Sequence, residues 1–492
     1  MSQDQITAPP WPTDSAILAR WTEQRRRRRL LEGLWMRDLS RRMIETVGSE
    51  RARAWGEPTL SINPFKTTAQ ELAVLYDHEP TVSHDRVDVS SLATAISMSG
   101  FWSAMQRVQA LCIGIREYFV RVDVSDEQRP RYRAVAPDYV ITEALVSNPS
   151  VPVRVEEYRL RDSIVAEGQK AKKIWTIDVV DISDLDHPVY MVLSGDGKTD
   201  LSGHYIDGAR AGGEYPREWR MAPKDGELLG RPILPYVLYH AQQLTDRTFD
   251  PFEGIELVDG TIDVAVLYQM VLHSFRDASF PQRYIANLEP AGAGIETQDG
   301  IPRQEIVADP ATILMLQQIG ESDTQPIIGQ WNAGADVSVL EETLSNLVAR
   351  LAQDAGIPPS DIQRLGGTAR SGAAISLTNE GKRKAQRRYT PSFTVSDKRL
   401  VSTTAIMVNR VGEMMQGARK IEPMPEGGYR IAYTRIPLSP EERASLRDDV
   451  IDRANAGLIT PLKAYMTLNP ELSEAKALED LASMTTRPGT TT

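Results

Sequence analysis

Few residues in this chain have the types and spacing that chemistry needs. Gly195-Asp-Gly-Lys-Thr199 ends like a phosphate-binding loop. The glycine that should open such a loop falls at Val192, and no helical pattern follows Thr199, so a hairpin turn is the expectation. The six histidines, His78, His84, His187, His204, His240 and His273, never stand three or four residues apart as paired metal ligands do. The lone Cys112 sits in the apolar run Ala110-Leu-Cys-Ile-Gly-Ile115 and reads as an inert core thiol. Asp181, Asp184 and Asp186 are close enough to hold a metal for phosphodiester cleavage, but after a strand they read first as a solvated turn. No nucleophile elbow is present. The expectation is no catalytic residue, no metal ligand and no cofactor. A metal-dependent DNA-processing enzyme built on the three aspartates is the alternative.

What remains is chemistry of charge. The loop Arg364-Leu-Gly-Gly-Thr-Ala-Arg-Ser-Gly372 places Arg364, Gly366, Gly367, Thr368 and Arg370 at the entry to a helix. Backbone N–H groups of a glycine loop at a helix start can hold an anion, an enzyme's phosphate or a DNA backbone. They can also simply let the chain reverse. The helix that follows carries Lys382, Arg383, Lys384, Arg387 and Arg388. From Asn379 to Arg399 there are seven Lys/Arg and two acids, a local net of +5. Taken alone, such a run is a solvated face; it also suits contact with a polyanion or a neighbouring subunit. A second run, Arg25–Arg29, is either a nucleic-acid arm or, as favoured here, the outer face of a helix. The apolar side of that helix would be Leu30, Leu31, Leu34, Trp35 and Leu39.

The chain as a whole has the opposite sign. Its 492 residues carry a formal net charge of −11, which argues against a general nucleic-acid coat. It permits a protein whose few basic patches meet nucleic acid while the rest of the surface repels it. At 41% hydrophobic and 25% charged the composition is that of an ordinary globular protein. One cysteine allows no intrachain disulfide, which fits a reducing compartment. No apolar run approaches a membrane span, and no secretory signal is expected at the N-terminus.

The elements that must position these charges alternate in type. Residues 1–13 read as a loose arm. Helices are expected over Ser15–Val47, Thr67–Tyr76 and Ser90–Val108. Strands are expected at Glu117–Asp123, Val151–Tyr158, Lys173–Val180 and Val189–Leu193. Gly208–Gly230 is loop-like. A helix over Ile255–Ser279 stops at Phe280-Pro281, and residues 281–335 form a strand-bearing excursion. The next helix carries Leu340, Leu344, Leu347, Val348 and Leu351 at helical spacing, with Ser338 and Glu341 as a capping box. Gly356 and Pro358-Pro359 end it. Pro391 should kink the long basic helix or split it in two. A strand at Tyr429–Arg435 and three helices, beginning near Ser439, Thr460 and Ser473, complete the chain.

This order resembles the portal proteins of tailed bacteriophages. The resemblance rests on helix, β-excursion, helix, Ile357-Pro-Pro, the glycine loop, Ser371-Gly-Ala-Ala374, the long basic helix, one strand and a helical C-terminus. Ala456-Gly-Leu-Ile-Thr-Pro461 and Asn469-Pro-Glu-Leu-Ser-Glu474 are similar to the family's closing helices. Ile62-Asn-Pro-Phe65 and Ala69-Gln-Glu-Leu-Ala-Val-Leu-Tyr76 also look portal-like. The likeness spans roughly residues 60–480, and its weight lies in the order of the parts.

The resemblance implies an α+β fold, an elongated subunit with long stem and wing helices, a β-rich wing segment and a small α/β clip. Residues 1–250 would be the N-terminal arm and wing, 251–280 a stem helix, 281–335 the clip and 336–355 the second stem helix. Residues 356–372 would be the tunnel loop, 373–436 a long kinked helix and wing strand, 437–484 a helical crown and 485–492 a disordered tail. It implies a homo-oligomeric ring, commonly of about twelve copies, at one capsid vertex of a virion assembled in the host cytoplasm. The ring would be the channel for packaging and ejecting double-stranded DNA. It would dock the large terminase, which supplies the ATP hydrolysis, as well as the head–tail adaptor and the major capsid and scaffold proteins. No membrane is involved. A minor capsid or neck protein of other symmetry is the remaining structural alternative.

Overall fold

In a computed structural model, residues 12–59, 62–163, 172–205, 215–223, 229–279, 282–286, 288–290, 297–298, 301–302, 316–318, 327–331, 337–354, 372–414, 421–436, 440–469 and 474–485 are described. The chain mixes helix and sheet and divides into two units. One comprises residues 1–34, 64–258 and 352–492; the other 35–63 and 259–351. Residues 35–63 therefore group with the later segment, a separation the sequence does not reveal within 1–250.

In the first unit, helix α1 (Ser15–Glu32) is capped by Asp14, whose carboxylate accepts from Ala16 N at 2.7 Å and Ile17 N at 3.2 Å. Gly33, left-handed at φ 79°, ends it. The helix expected over Ser15–Val47 is thus broken, and α2 (Met36–Val47) is separate. The helix expected over Ser90–Val108 is also two, α5 (Ser90–Met98) and α6 (Phe101–Ile115), because Gly100 turns the chain at φ 73°. Between these pairs lie α3 (Ser49–Trp55) and α4 (Pro64–Leu72), the latter ending four residues before Tyr76.

Two antiparallel sheets follow. Strands β2 (Glu117–Val124), β3 (Pro130–Val135) and β8 (Tyr236–His240) form the order β3-β2-β8. Strands β4 (Val140–Leu145), β5 (Asn148–Asp162), β6 (Lys173–Asp181) and β7 (Val189–Ser194) form a meander. Buried polar groups join the sheets. Arg121 donates to Asp178 at 3.2 Å and Tyr236 to Glu157 at 2.8 Å, so each buried carboxylate meets a donor. A two-stranded ribbon pairs β1 (Thr81–His84) with Tyr429–Ala432, residues at opposite ends of the sequence.

The longest element is one helix, Gly372–Met414, with Pro391 inside it. Of the kink or split expected at Pro391, the split does not occur. Tyr389 and Phe393 are fully buried on either side of the proline, and Phe393 packs on Tyr239 of β8 at 5.7 Å between ring centres. Ser392 Oγ donates to His240 O at 2.8 Å and Ser396 Oγ to Leu238 O at 3.0 Å. Packing on this scale outweighs one lost backbone bond. The C-terminal helices are Pro440–Asn455, Pro461–Leu468 and Glu474–Thr485, the second capped by Thr460, which accepts from Lys463 N at 3.2 Å.

In the second unit, Trp35, Leu39 and Met43 are buried along one side of α2. Arg42 pairs with Asp263 at 2.8 Å, Trp55 stacks on His273 at 4.5 Å, and Gln269 Nε2 donates to Thr59 O at 2.8 Å. Asp263, Gln269 and His273 belong to helix α8 (Ile255–Ser279). Helix α9 (Val337–Asp354) crosses it so closely that a Cβ on Gly260 would come within 2.5 Å of Leu351 Cδ2. Ser338 falls inside the first turn of α9. Between α8 and α9 every described element is a strand, including the pair Gln282–Ala286 with Ile327–Trp331.

Candidate nucleic-acid interface

The basic residues of the long helix divide by angle. At about 100° per residue, Arg383, Lys384, Arg387 and Arg388 share one side. Ala385, Tyr389, Ser392, Phe393 and Ser396 share the other, and all five are buried. Lys384, Arg387 and Arg388 are exposed and Arg383 half-buried. Lys382 falls on the packed side of the wheel, near Gln386, and is half-buried. The five-residue face expected from the sequence is therefore a face of four. Arg388 lies over the Tyr389 ring, 5.7 Å from its centroid, and against the amide of Gln242. Arg387 makes no ion pair among the described residues. Such a face can meet phosphate or carboxylate groups; it has no geometry for reading bases.

What anchors this helix is one of the two acids in its basic stretch. Asp397 is fully buried and accepts three phenolic hydroxyls: Tyr76 at 2.9 Å, Tyr239 at 2.8 Å and Tyr433 at 2.6 Å. Burial pushes its carboxyl up to about 6, against the three hydroxyls, which favour the ionised form. The tyrosines come from the chain after α4, from β8 and from the residue after Ala432. One carboxylate thereby fixes the helix that carries the basic face.

The Arg25–Arg29 run is neither an arm nor an outer face. Arg27 is 1% exposed and donates to Glu23 at 2.9 Å and to Gly114 O at 3.2 Å. Arg25 at 3.3 Å and Arg28 at 2.7 Å converge on Asp138, whose side chain is fully buried. Leu34, expected on the apolar side, is 66% exposed, while Leu30, Leu31, Trp35 and Leu39 are buried. The counter-charges come from Glu23 on the same helix and from the distant Asp138, so the run is neutralised internally and drops out as a DNA contact.

The other sites are local turns. Asp181 accepts from Ser183 N at 2.9 Å, and Asp184 accepts from Asp186 N at 2.9 Å and from His187 N at 3.3 Å. The Asp186 N–H first, then the His187 side chain and backbone, hold the Asp184 carboxyl below its usual range. No group of three metal-ligating side chains occurs among the described residues. The Gly195–Thr199 segment closes on itself: Ser194 N donates to Thr199 O at 2.8 Å, with Gly197 at φ 72°. Cys112 is buried, and burial pushes its thiol up. The tunnel-loop residues Arg364, Gly366, Gly367, Thr368 and Arg370 lie outside the described residues. No described helix is long and apolar enough to cross a membrane.

No family model matches this chain, and no curated protein matches its sequence. Among solved structures it is similar to a chain in the virion of a native gene transfer agent particle. The identity is 10% and the TM-score 0.36, over 87% of this chain and 93% of that one. It is also similar to a chain in the neck of an empty gene transfer agent particle. There the identity is 10% and the TM-score 0.41, over 82% of this chain and 88% of that one.

Proposed function

We propose that the chain is the subunit of a phage portal, a ring at one capsid vertex through which double-stranded DNA is packaged and ejected. The observation that carries this reading is the order of elements. A 25-residue helix, a strand-bearing excursion, an 18-residue helix, a glycine loop and a 43-residue helix with a basic outer face follow one another. A ring gives such elongated helices neighbouring surfaces on which to bury. A chain of net charge −11, repeated about twelve times, makes an acidic ring to which DNA does not stick.

In this reading residues 356–372 line the constriction, where Arg364 and Arg370 centre the duplex. The exposed face of Arg383, Lys384, Arg387 and Arg388 meets DNA or the next subunit. The ring docks the large terminase, the head–tail adaptor and the capsid and scaffold proteins, and it hydrolyses no ATP itself. A packaging assay tests the loop: rings carrying Arg364→Ala/Arg370→Ala should package or retain less DNA than wild type. Equal packaging and retention would remove the role assigned to the loop. ATP hydrolysis by the purified chain alone would contradict the division of labour with a terminase.

A further inference from the structure

Four arginines meet three carboxylates where the two sheets are joined. Arg121 of β2 and Arg133 of β3 stand directly opposite one another, which like charges do not tolerate without anions between them. The other sheet supplies two. Glu157 of β5 accepts from both Nη atoms of Arg133 and from the Tyr236 hydroxyl at 2.8 Å. Asp178 of β6 accepts from Arg161 Nη2 on both oxygens, at 2.6 and 2.5 Å, and from Arg121 Nη1 at 3.2 Å. Asp123 pairs with Arg121 Nε at 3.2 Å. Every carboxylate of the cluster is engaged by a cation.

Arg159 is the arginine left over. Side chains alternate along β5, so it stands between Glu157 and Arg161 on one face. Its cross-strand partner is Thr176; Arg161, opposite Ile174, reaches past that position to Asp178. The Arg159 carbonyl accepts from Thr176 Oγ1 at 3.2 Å, but its guanidinium makes no hydrogen bond or ion pair among the described residues. Arg159 is half-buried, and burial first, then the charges of Arg133 and Arg161, pull its guanidinium below the ordinary arginine value. Arg161 Nε is buried and also lacks a partner among the described residues, while its guanidinium is held 5.0 Å over the Tyr205 ring. A third of the Arg133 side chain is open to water.

We propose that Arg159, with the unused donors of Arg133 and Arg161, is a binding site for a phosphate group. Charge favours an anion, because Arg121, Arg133, Arg159 and Arg161 exceed Asp123, Glu157 and Asp178 by one positive charge. Shape favours phosphate. A carboxylate matches one planar fork, as Glu157 matches Arg133. Three guanidiniums at different strand positions suit an acceptor whose oxygens point in several directions, and a tetrahedral phosphate has them. Free inorganic phosphate and the phosphodiester of a nucleic acid present the same oxygens. The site goes beyond the portal reading and lies within one chain. A monomer that bound phosphate at Arg159 would defeat the ring and leave this site standing.

Calorimetric titration of the full chain with inorganic phosphate, against chloride at matched ionic strength, tests the site. Wild type should bind, and Arg159→Gln should weaken binding by about tenfold or more. Arg41→Gln, the same change at an exposed arginine of α2, should leave it within about twofold. A second titration with a short DNA duplex separates the two sources. If Arg159→Gln weakens duplex binding as well, the site takes a nucleic-acid phosphodiester; if it weakens inorganic phosphate alone, the site takes the free ion. Should Arg159→Gln not fold, Arg159→Lys decides: it keeps the charge, loses the planar fork and should still weaken phosphate, by less. No phosphate binding by wild type, unchanged affinity in the Arg159 variants, or an equal loss in Arg41→Gln would overturn the proposal.

Discussion

Asp397 and Tyr239 are joined by a 2.8 Å hydrogen bond between a carboxylate and a phenol that are both 0% exposed. The bond locks the 43-residue helix onto β8, an edge strand of the three-stranded sheet. It is one of three such bonds to the same carboxylate, with Tyr76 and Tyr433 supplying the others. Asp397→Ala would leave three hydroxyls without their acceptor. A loss of about 3–5 kcal/mol in urea denaturation is expected, and Asp397→Asn should lose less.

The same site sets a pH dependence. The carboxyl of Asp397 is raised from 3.8 to about 6 on folding, chiefly by burial. A raised carboxyl contributes stability that is complete below its unfolded value and is lost as pH rises through the folded one. The stability of wild type relative to Asp397→Asn should therefore fall between pH 4 and pH 6, by up to about 3 kcal/mol. Denaturant titrations of both proteins at pH 4, 5, 6 and 7 check the sign.

Asp138 is the internal partner of the arginine run. Asp138→Asn would strand the buried ends of Arg25 and Arg28 without their shared counter-charge. The expected cost is about 3 kcal/mol, read as a shift in the urea midpoint.

Pro391 lacks the N–H that the carbonyl of Arg387 would accept, and packing carries the helix past that gap. Pro391→Ala restores the donor without disturbing Tyr389 or Phe393. It should raise stability by about 1–2 kcal/mol, the helix gain offset in part by a more disordered unfolded chain. Thermal unfolding gives the answer directly.

The exposed basic face should act on salt-sensitive DNA association and not on the fold. Arg387→Gln should change stability by less than about 0.5 kcal/mol. It should reduce the slope of log affinity against log salt by about 1. Binding measured between 50 and 200 mM salt tests this. An unchanged slope would assign the face to contacts between subunits.

Local signals explain what could be read in advance. The helix Ile255–Ser279 was legible because its apolar spacing ends at a proline. The strands at 173–181 and 189–194 were legible from their β-branched runs and flanking turns. Strand Tyr236–His240 is not legible in advance, because five residues of Tyr, Val, Leu and His carry no periodicity that separates strand from buried loop. Gly33 and Gly100 each cut an amphipathic pattern that continues on both sides, so the pattern read as one helix. Asp138 stands more than a hundred residues from the arginines it neutralises, and Asp397 more than three hundred from Tyr76. No window of sequence holds both partners of either pair. The arginine run therefore looked like a surface, and the aspartate like an ordinary acid in a basic helix.

The central claim is a ring with a channel, and negative-stain imaging of the purified chain tests it most directly. The account predicts wide rings with a stain-filled central hole, their mass about twelve times the 54.7 kDa subunit. Monomers, or closed particles with no axial hole at any concentration, would contradict it.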